Sequence, residues 1–173
     1  MRNIIADTIK GDAMEIKIFE SRFNQSVKEL ILDIQQKEFL LPITLSDQPD
    51  LLNIESSYQD KGGQFWVAVD SSNGQVVGCL GLVALMDENV ALKKMFVAKS
   101  YRKLGLGRKL LEEFITYCRE KGKKAIFLGT TSDFKAAQYF YQKLGFKEIT
   151  SADLPNDFPR LAVDNRYYTY SVN

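Results

Sequence analysis

The sequence predicts an α/β (α+β) domain, in which about four helices flank a mixed, mostly antiparallel sheet of six to seven strands. Two apolar segments, residues 65–69 and 76–85, are separated by the turn sequence SSNG at 71–74, which is typical of a β-hairpin. Residues 90–97 then lead into a helical pattern and a further short apolar strand, as in a β-α-β unit. A hairpin followed by such a unit implies a sheet with both antiparallel and parallel pairs.

Apolar periodicity predicts the other elements. Residues 14–19 alternate as a half-buried strand does, and residues 24–39 form an amphipathic helix that ends at Pro42. Ser46 or Asp47 is expected to cap a second short helix. Beyond the hairpin and the strand at 90–97, we expect a helix from Gly105 that stops at Gly122, a strand at 125–128, a helix capped by Asp133 and ended by Gly145, and closing strands at 146–149 and 166–172. Residues 1–13 are thus an N-terminal extension, and residues 14–173 form a single domain.

Composition excludes several classes of protein. The 173 residues suffice for one packed core, and a hydrophobic fraction of 45% argues against global disorder. No apolar run approaches the roughly 20 residues of a spanning helix, and the N-terminus lacks a signal-peptide core. Because there is no histidine, a Ser-His-Asp triad and His-ligated zinc are excluded, and we expect no metal. Two distant cysteines suggest buried thiols in a reduced, cytoplasmic protein.

Charge is unevenly distributed along the chain. Residues 93–124 contain 11 basic and 3 acidic residues, although the whole chain has a net charge of only +1. Such a run indicates either a solvated helix face or a polyanionic partner, and both readings stay open at this point. Nucleic acid is not expected, because the basic residues cluster at one helix start without interleaved aromatic residues.

The segment MFVAKSYRKLGLGRKLL, residues 95–111, is the most informative part of the chain. A strand passes through a short loop directly into a helix, whose N-terminal N–H groups favour an anion. Gly105 and Gly107 permit unusual backbone angles and let phosphate oxygens approach the amides. Cationic side chains surround the same point: Arg102, Lys103, Arg108 and Lys109. The pattern therefore predicts a pyrophosphate site.

Two familiar phosphate loops do not fit this segment. A P-loop requires Gly-Lys-Ser/Thr, whereas Gly107 is followed by Arg108, Lys109 and Leu110. A dinucleotide fingerprint needs a third glycine, where Leu110 stands, and an acid about 20 residues later, where residues 125–128 have none. A tight strand-to-helix turn without a ligand remains the alternative.

The pattern Arg102-x-x-Gly105-x-Gly107 resembles the pyrophosphate-binding motif of the GNAT superfamily of acetyl-CoA-dependent N-acetyltransferases. A second segment, AQYFYQKLGF at 137–146, is similar to a later helix and strand of that superfamily. The resemblance spans about residues 14–172. The closing stretch at 154–170, with the sequence DFPRLAVDNRYYTY in its main part, is similar to a bacterial subgroup of unknown substrate. It implies a GNAT-like sheet and direct acetyl transfer from acetyl-CoA to a primary amine of a small molecule or peptide. A coenzyme A-binding module without catalysis is the alternative.

The resemblance also implies roles for particular residues. The backbone of Met95, Phe96 and Val97 would line the pantetheine arm, and one of their amides would polarise the thioester carbonyl. Tyr141 would be the general acid that protonates the departing thiolate. The pyrophosphate would be held by the loop and first helical turn: Arg102, Lys103, Leu104, Gly105, Leu106, Gly107 and Arg108.

The chain departs from the family pattern at two positions. Ala91 stands where many members have a glutamate that serves as base, so Asp87 and Glu88 are the candidate base here, with turn residues as the competing interpretation. Phe134 stands where an asparagine is common, which puts that amide contact in doubt.

The acceptor amine is expected to enter beside the early helices and the last hairpin. That region is acidic and would attract a cationic acceptor: Glu38, Asp47, Asp50, Glu55 and Asp60. The sequence leaves open whether the chain acts alone or as a homodimer.

Overall fold

The computed structural model describes residues 13–173, so the predicted extension 1–13 lies outside the described residues except for Ala13. Within them, seven strands form one sheet in the order β1-β2-β3-β4-β5-β7-β6. Only the β4–β5 pair is parallel, which confirms a mixed, mostly antiparallel sheet. The strands are β1 (Met14–Ile18), β2 (Gln64–Asp70), β3 (Gln75–Ala84), β4 (Asn89–Val97), β5 (Ala125–Thr130), β6 (Lys147–Ile149) and β7 (Arg166–Ser171).

Four α-helices occur in residues 13–173: α1 (Asn24–Leu32), α2 (Ile54–Ser57), α3 (Leu106–Glu120) and α4 (Lys135–Lys143). The apolar stripe of α3 is buried, with Leu110, Phe114 and Cys118 inaccessible to solvent. Gly122 and Gly145 follow α3 and α4 with φ of 69° and 98°, the left-handed geometry that ends a helix. The element order predicted from the sequence is confirmed.

The sheet separates two hydrophobic cores. On one face, α3 and α4 cover apolar residues of the central strands; on the other, α1 and α2 do so. Both cysteines, Cys79 and Cys118, are free and fully buried, as predicted. No helix in residues 13–173 is long and apolar enough to cross a membrane.

Three local predictions were wrong. The helix predicted over 24–39 is α-helical only to Leu32 and continues as a π-helix over Asp33–Glu38, in which the Phe39 amide donates to the Ile34 carbonyl. Gln48, rather than Ser46 or Asp47, occupies the cap position of the next 3₁₀ turn, Pro49–Leu52, and Asp47 instead closes a capping box with Thr44. Asp133 does not cap α4, because Phe134 occupies the cap position and no side chain caps that helix.

Strands β4 and β5 pair over only three residues, from Asn89 with Ala125 to Ala91 with Phe127. Beyond this point β4 continues to Val97 and β5 to Thr130 without facing each other in the sheet. Because the strands diverge, their carboxyl ends bound a cleft in the middle of the sheet, where unpaired backbone groups can meet a ligand.

Candidate active site

The cleft between β4 and β5 is a cavity of about 760 Å³. One wall is β4 from Leu92 to Val97, and the opposite wall is the end of β5 with α4. The π-helix and the segment before β7 contribute Gln35 and Asp164 to its lining. Its volume is in the range of a cofactor or small-molecule pocket.

A bulge shapes the β4 wall. Between the pairs that Lys93 and Phe96 make with β3, strand β4 has one residue more than β3 has between Gly81 and Cys79. Lys94 takes up the extra length with a φ of 56°, which is unusual for a residue with a side chain. The Cys79 thiol donates a hydrogen bond of 3.1 Å to the Lys94 carbonyl. The bulge is therefore a fixed feature of the wall, supported from the neighbouring strand.

Helix α3 begins at the rim of the cavity. Gly105 is its N-cap residue with φ of 74°, and the first helical hydrogen bond runs from the Lys109 amide to the Gly105 carbonyl. The preceding amides of the first turn therefore have no acceptor within the helix, and no side chain caps it. Gly107 and Arg108 both line the cavity. This arrangement favours an anion at the rim.

Arg102 already has protein partners. Its Nε donates to the Val97 carbonyl at 2.9 Å, and its two terminal nitrogens bind the Glu38 carboxylate, with Nη2 to Oε1 at 2.7 Å. The hydrogen bond from Arg102 holds the pKa of Glu38 below its usual value, although burial opposes this. A guanidinium has five N–H donors, so two remain for a phosphate. Arg102 thus connects the π-helix to the predicted pyrophosphate loop.

Tyr141 projects from α4 into the cavity, and its ring is buried. Its hydroxyl donates to the Met95 sulfur on the opposite wall, with an Oη–Sδ distance of 3.4 Å. A thioether is a weak acceptor, so exchanging it for a thiolate costs little. Burial raises the pKa of Tyr141, and the charge of Asp164 adds to this shift, so the phenol stays protonated at neutral pH.

Asp164 is the one cavity residue with an unsatisfied buried carboxylate oxygen in the described part of the chain. Its Oδ2 is shielded from solvent and has no hydrogen-bond partner. Burial raises the pKa of Asp164, while Lys93 and Lys94 act to lower it. No sequence motif assigns a role to Asp164. The only signal was an acidic residue in an otherwise apolar and basic stretch just before the last strand.

Two buried lysines of the β4 wall also line the cavity. Lys93 donates to the Pro159 carbonyl at 2.9 Å, and Lys94 donates to Gln48 Oε1 and lies 3.7 Å from the Asp50 carboxylate. Burial lowers the pKa of both ammonium groups. The inner cavity therefore contains positive charge near the Asp164 carboxylate.

The structure brings most of the predicted residues to the cavity. Tyr141 lies there together with Met95, Phe96, Val97, Arg102, Gly105, Gly107 and Arg108. The side chains of the remaining loop residues point elsewhere: Leu106 is buried in the core, Leu104 packs against that core, and Lys103 is exposed. Leu104 and Leu106 can therefore contribute only backbone groups to a ligand, whereas the exposed Lys103 side chain does not line the cavity.

The predicted base is not brought to the cavity. Asp87 and Glu88 lie in the turn before β4, at the far end of the strand, and neither lines the cleft. Glu88 instead accepts a hydrogen bond of 3.0 Å from Lys123. Ala91, where a glutamate was expected, is sealed beneath Leu154 and Phe158. Asp87 and Glu88 lie away from the cleft because they precede β4, whereas β4 and β5 separate only after Ala91.

The predicted acidic entrance is also absent from the cavity wall. None of its five residues lines the cleft, and three of them have protein partners: Glu38 pairs with Arg102, Asp47 closes a capping box, and Asp50 accepts from the Tyr58 hydroxyl. At Phe134, where an amide was expected, an aromatic edge contact with Phe39 forms part of the wall, with ring centroids 4.5 Å apart.

A family model described as the acetyltransferase (GNAT) family matches residues 28–146, which is more than half of the chain and includes both the Gly105–Gly107 turn and Tyr141. The chain belongs to the acetyltransferase (GNAT) family. The family and the fold class predicted from the sequence are therefore confirmed.

This GNAT-family chain is similar to a GNAT acetyltransferase from Staphylococcus aureus Mu50, with a TM-score of 0.91 and 45% identity over 93% of this chain and 100% of that one. An acetyltransferase from Streptococcus agalactiae has a TM-score of 0.86 and 35% identity, and the match covers 92% and 98% of the two chains. Among curated proteins, a probable N-acetyltransferase camello from Xenopus tropicalis is 33% identical over 71% of this chain and 57% of its own length. The chain spans about half the length of the first curated relatives.

Proposed function

We propose that this GNAT-family chain transfers an acetyl group from acetyl-CoA directly to a primary amine of a small molecule or peptide. The observation that carries the proposal is the position of Tyr141, a protonated and buried phenol. It lies across the cleft from the end of β4, which has no strand partner on the β5 side. Family membership supports acetyl-CoA as the donor.

The cavity residues fit such a donor. The Gly105–Gly107 turn offers amides at the uncapped start of α3, and Arg108, Lys135 and Lys143 add positive charge around the cavity. Further in, Met95 and Val97 present an apolar wall and the backbone of a strand that β5 no longer pairs. A pyrophosphate at the rim and an extended arm along β4 would match this order.

Tyr141 would act where the carbon–sulfur bond breaks. Its hydroxyl donates to whatever sulfur stands in place of the Met95 contact, which stabilises negative charge as the thiolate forms. Because its raised pKa disfavours a tyrosinate, the hydroxyl gives its proton to the thiolate only as it receives another from the new amide nitrogen. The free, buried thiols Cys79 and Cys118 are not needed for this chemistry, and they suit the reducing cytoplasm in which we place the protein.

The test combines binding with turnover. Calorimetry with acetyl-CoA measures donor binding, and thiol release is then followed over a panel of amino acids, dipeptides, alkylamines and polyamines. We expect saturable binding and amine-dependent thiol release above the rate of hydrolysis without amine. Tight binding with no release for any amine would instead support the coenzyme A-binding module.

A further inference from the structure

The closing segment before β7 carries Asp164 into the cavity, and the protein has fixed it there. The Asn165 amide donates to the Thr130 carbonyl at the end of β5, and the Ser132 amide donates to the Asn165 side chain at 2.8 Å. The Tyr167 hydroxyl donates to the Asp164 carbonyl at 3.1 Å. The carboxylate therefore sits on a backbone held from both sides.

The Asp164 carboxylate packs closely against the backbone of Gly129. A Cβ added to Gly129 would stand 2.7 Å from Asp164 Oδ2, which is closer than real Cβ contacts allow. Glycine at this position leaves the end of β5 open to the carboxylate. The buried oxygen has no hydrogen-bond partner among residues 13–173, which is costly unless a ligand supplies the donor.

We infer that Asp164 is the general base of the acetyl transfer and that the acceptor is an amine that arrives as an ammonium ion. This inference rests on the proposed function. It replaces Asp87 and Glu88, which lie away from the cleft, with a carboxylate that shares the cavity with Tyr141. Among residues 13–173, the cavity has one other acid in its lining, Asp133, which hydrogen-bonds Thr131.

The proton balance is closed by these two residues. The Asp164 carboxylate takes one proton from the acceptor ammonium, and the neutral amine nitrogen forms its bond to the acetyl carbon. As the carbon–sulfur bond breaks, the thiolate receives a proton by way of Tyr141, and Tyr141 regains one from the nitrogen that becomes the amide. Asp164 then releases its proton to water, so the net products are the amide, the free thiol and one proton.

The surroundings suit a base that works near neutral pH. Burial raises the pKa of Asp164, and the positive charges of Lys93 and Lys94 on β4 oppose this shift. Tyr141 faces the Asp164 carboxylate from α4, and Tyr167 contacts Asp164 from the same closing segment. Since a base must be ionised to act, activity should fall as the pH drops through the raised pKa of Asp164.

The central experiment compares Asp164→Asn with the wild type from about pH 6 to about pH 9.5, using n-butylamine, which is cationic at neutral pH, and 2,2,2-trifluoroethylamine, which is neutral there. We expect kcat with n-butylamine to fall about 100-fold near neutral pH. The deficit should shrink at alkaline pH, where the neutral fraction of n-butylamine rises about tenfold per pH unit, and should be small with 2,2,2-trifluoroethylamine. A structural role for Asp164 would produce neither the recovery nor the difference between the amines.

Asp157→Asn is the matched control. Asp157 lies in the same closing segment, accepts the Met86 amide at 2.8 Å and does not line the cavity, so its activity and pH profile should equal the wild type. A change in KM alone for Asp164→Asn, or a deficit independent of pH and amine, would overturn the inference. If the wild type acetylates no amine at all, the proposed function itself fails.

A measurement without an acceptor keeps the inference testable in that case. Carbon-13 NMR of the aspartate carboxyl groups in wild type and Asp164→Asn identifies the Asp164 signal by its loss. We expect that signal to titrate above the ordinary aspartate range of about 3.9. Titration at or below that value would contradict a base that works near neutral pH.

Discussion

The Oδ2 atom of Asp164 lies 2.7 Å from the point where a Cβ on Gly129 would stand. Gly129 lies at the end of β5, and Asp164 lies in the segment before β7. Both residues line the cavity. The absence of a side chain at position 129 is therefore tied to the presence of a carboxylate at position 164.

Gly129→Ala should displace that carboxylate and lower kcat while leaving acetyl-CoA binding intact. The new methyl would clash with Asp164 Oδ2 and approach the Tyr167 ring at 3.1 Å. The check is a double-mutant cycle with Asp164→Asn: if the alanine acts through the carboxylate, its effect on kcat should nearly vanish in the Asp164→Asn background. Additive effects would mean that Gly129 matters for another reason.

Tyr141→Phe should reduce kcat by about 100-fold with little change in the KM for acetyl-CoA, because the lost hydroxyl acts when the thiolate forms. The ring and its packing against Phe146 are retained, so stability should change little. Tyr168→Phe is the control, since Tyr168 is equally buried but does not line the cavity. Steady-state kinetics separate the two variants, and equal rates for Tyr141→Phe and wild type would exclude the acid role.

Gly105→Ala and Gly107→Ala should fail in different ways. At Gly105, φ of 74° makes any side chain strained, so alanine should cost about 1 kcal/mol of unfolding free energy. At Gly107 a Cβ would lie 3.5 Å from Met95 Cε and 3.6 Å from Phe140 Cζ, which is ordinary contact. Gly107→Ala should therefore fold normally and weaken acetyl-CoA binding. Denaturant unfolding and calorimetry together distinguish backbone strain from a blocked phosphate approach.

Glu38→Gln should lower stability at neutral pH by less than about 1 kcal/mol, because the Glu38–Arg102 pair is partly exposed. Since the pKa of Glu38 is lowered in the folded protein, the pair stabilises above the unfolded value of about 4.3 and loses its effect as the pH falls through the folded value. The stability difference between wild type and variant should thus be full at pH 7 and disappear in acid. A difference that persists in acid would point to packing instead.

Local sequence signals predicted the elements and the turn between β4 and α3, because each depends on residues close together in the chain. The apolar strand at 65–69, the SSNG turn and the Gly105–Gly107 step all specify backbone geometry directly. The family motif likewise singled out Tyr141 as a candidate, because the motif lies within ten consecutive residues; the structure places Tyr141 in the cavity.

Asp164 could not be predicted as the base from the sequence, because its environment is assembled from segments that are distant in the chain. Asp164 becomes a buried, unpaired carboxylate only when the end of β5, the β4 lysines and the closing segment meet. Asp87 and Glu88 are the acids next to β4 in the sequence. No sequence pattern indicates that the cleft opens at the other end of that strand. The π-helix at Asp33–Glu38 was missed because the segment DIQQKE has only one apolar residue, Ile34, so no periodicity distinguishes a π-helix from an α-helix there.

The three residue pairs between β4 and β5 are all that joins β1–β4 to β5–β7–β6 within the sheet. The sheet thus consists of two half-sheets joined along a short seam, and the cavity is the gap on one side of that seam. An acetyl-CoA arm that hydrogen-bonded β4 and touched α4 would bridge the gap as a temporary eighth strand. Bound acetyl-CoA would then add to the contacts that hold the two half-sheets together, beside the three residue pairs of the seam.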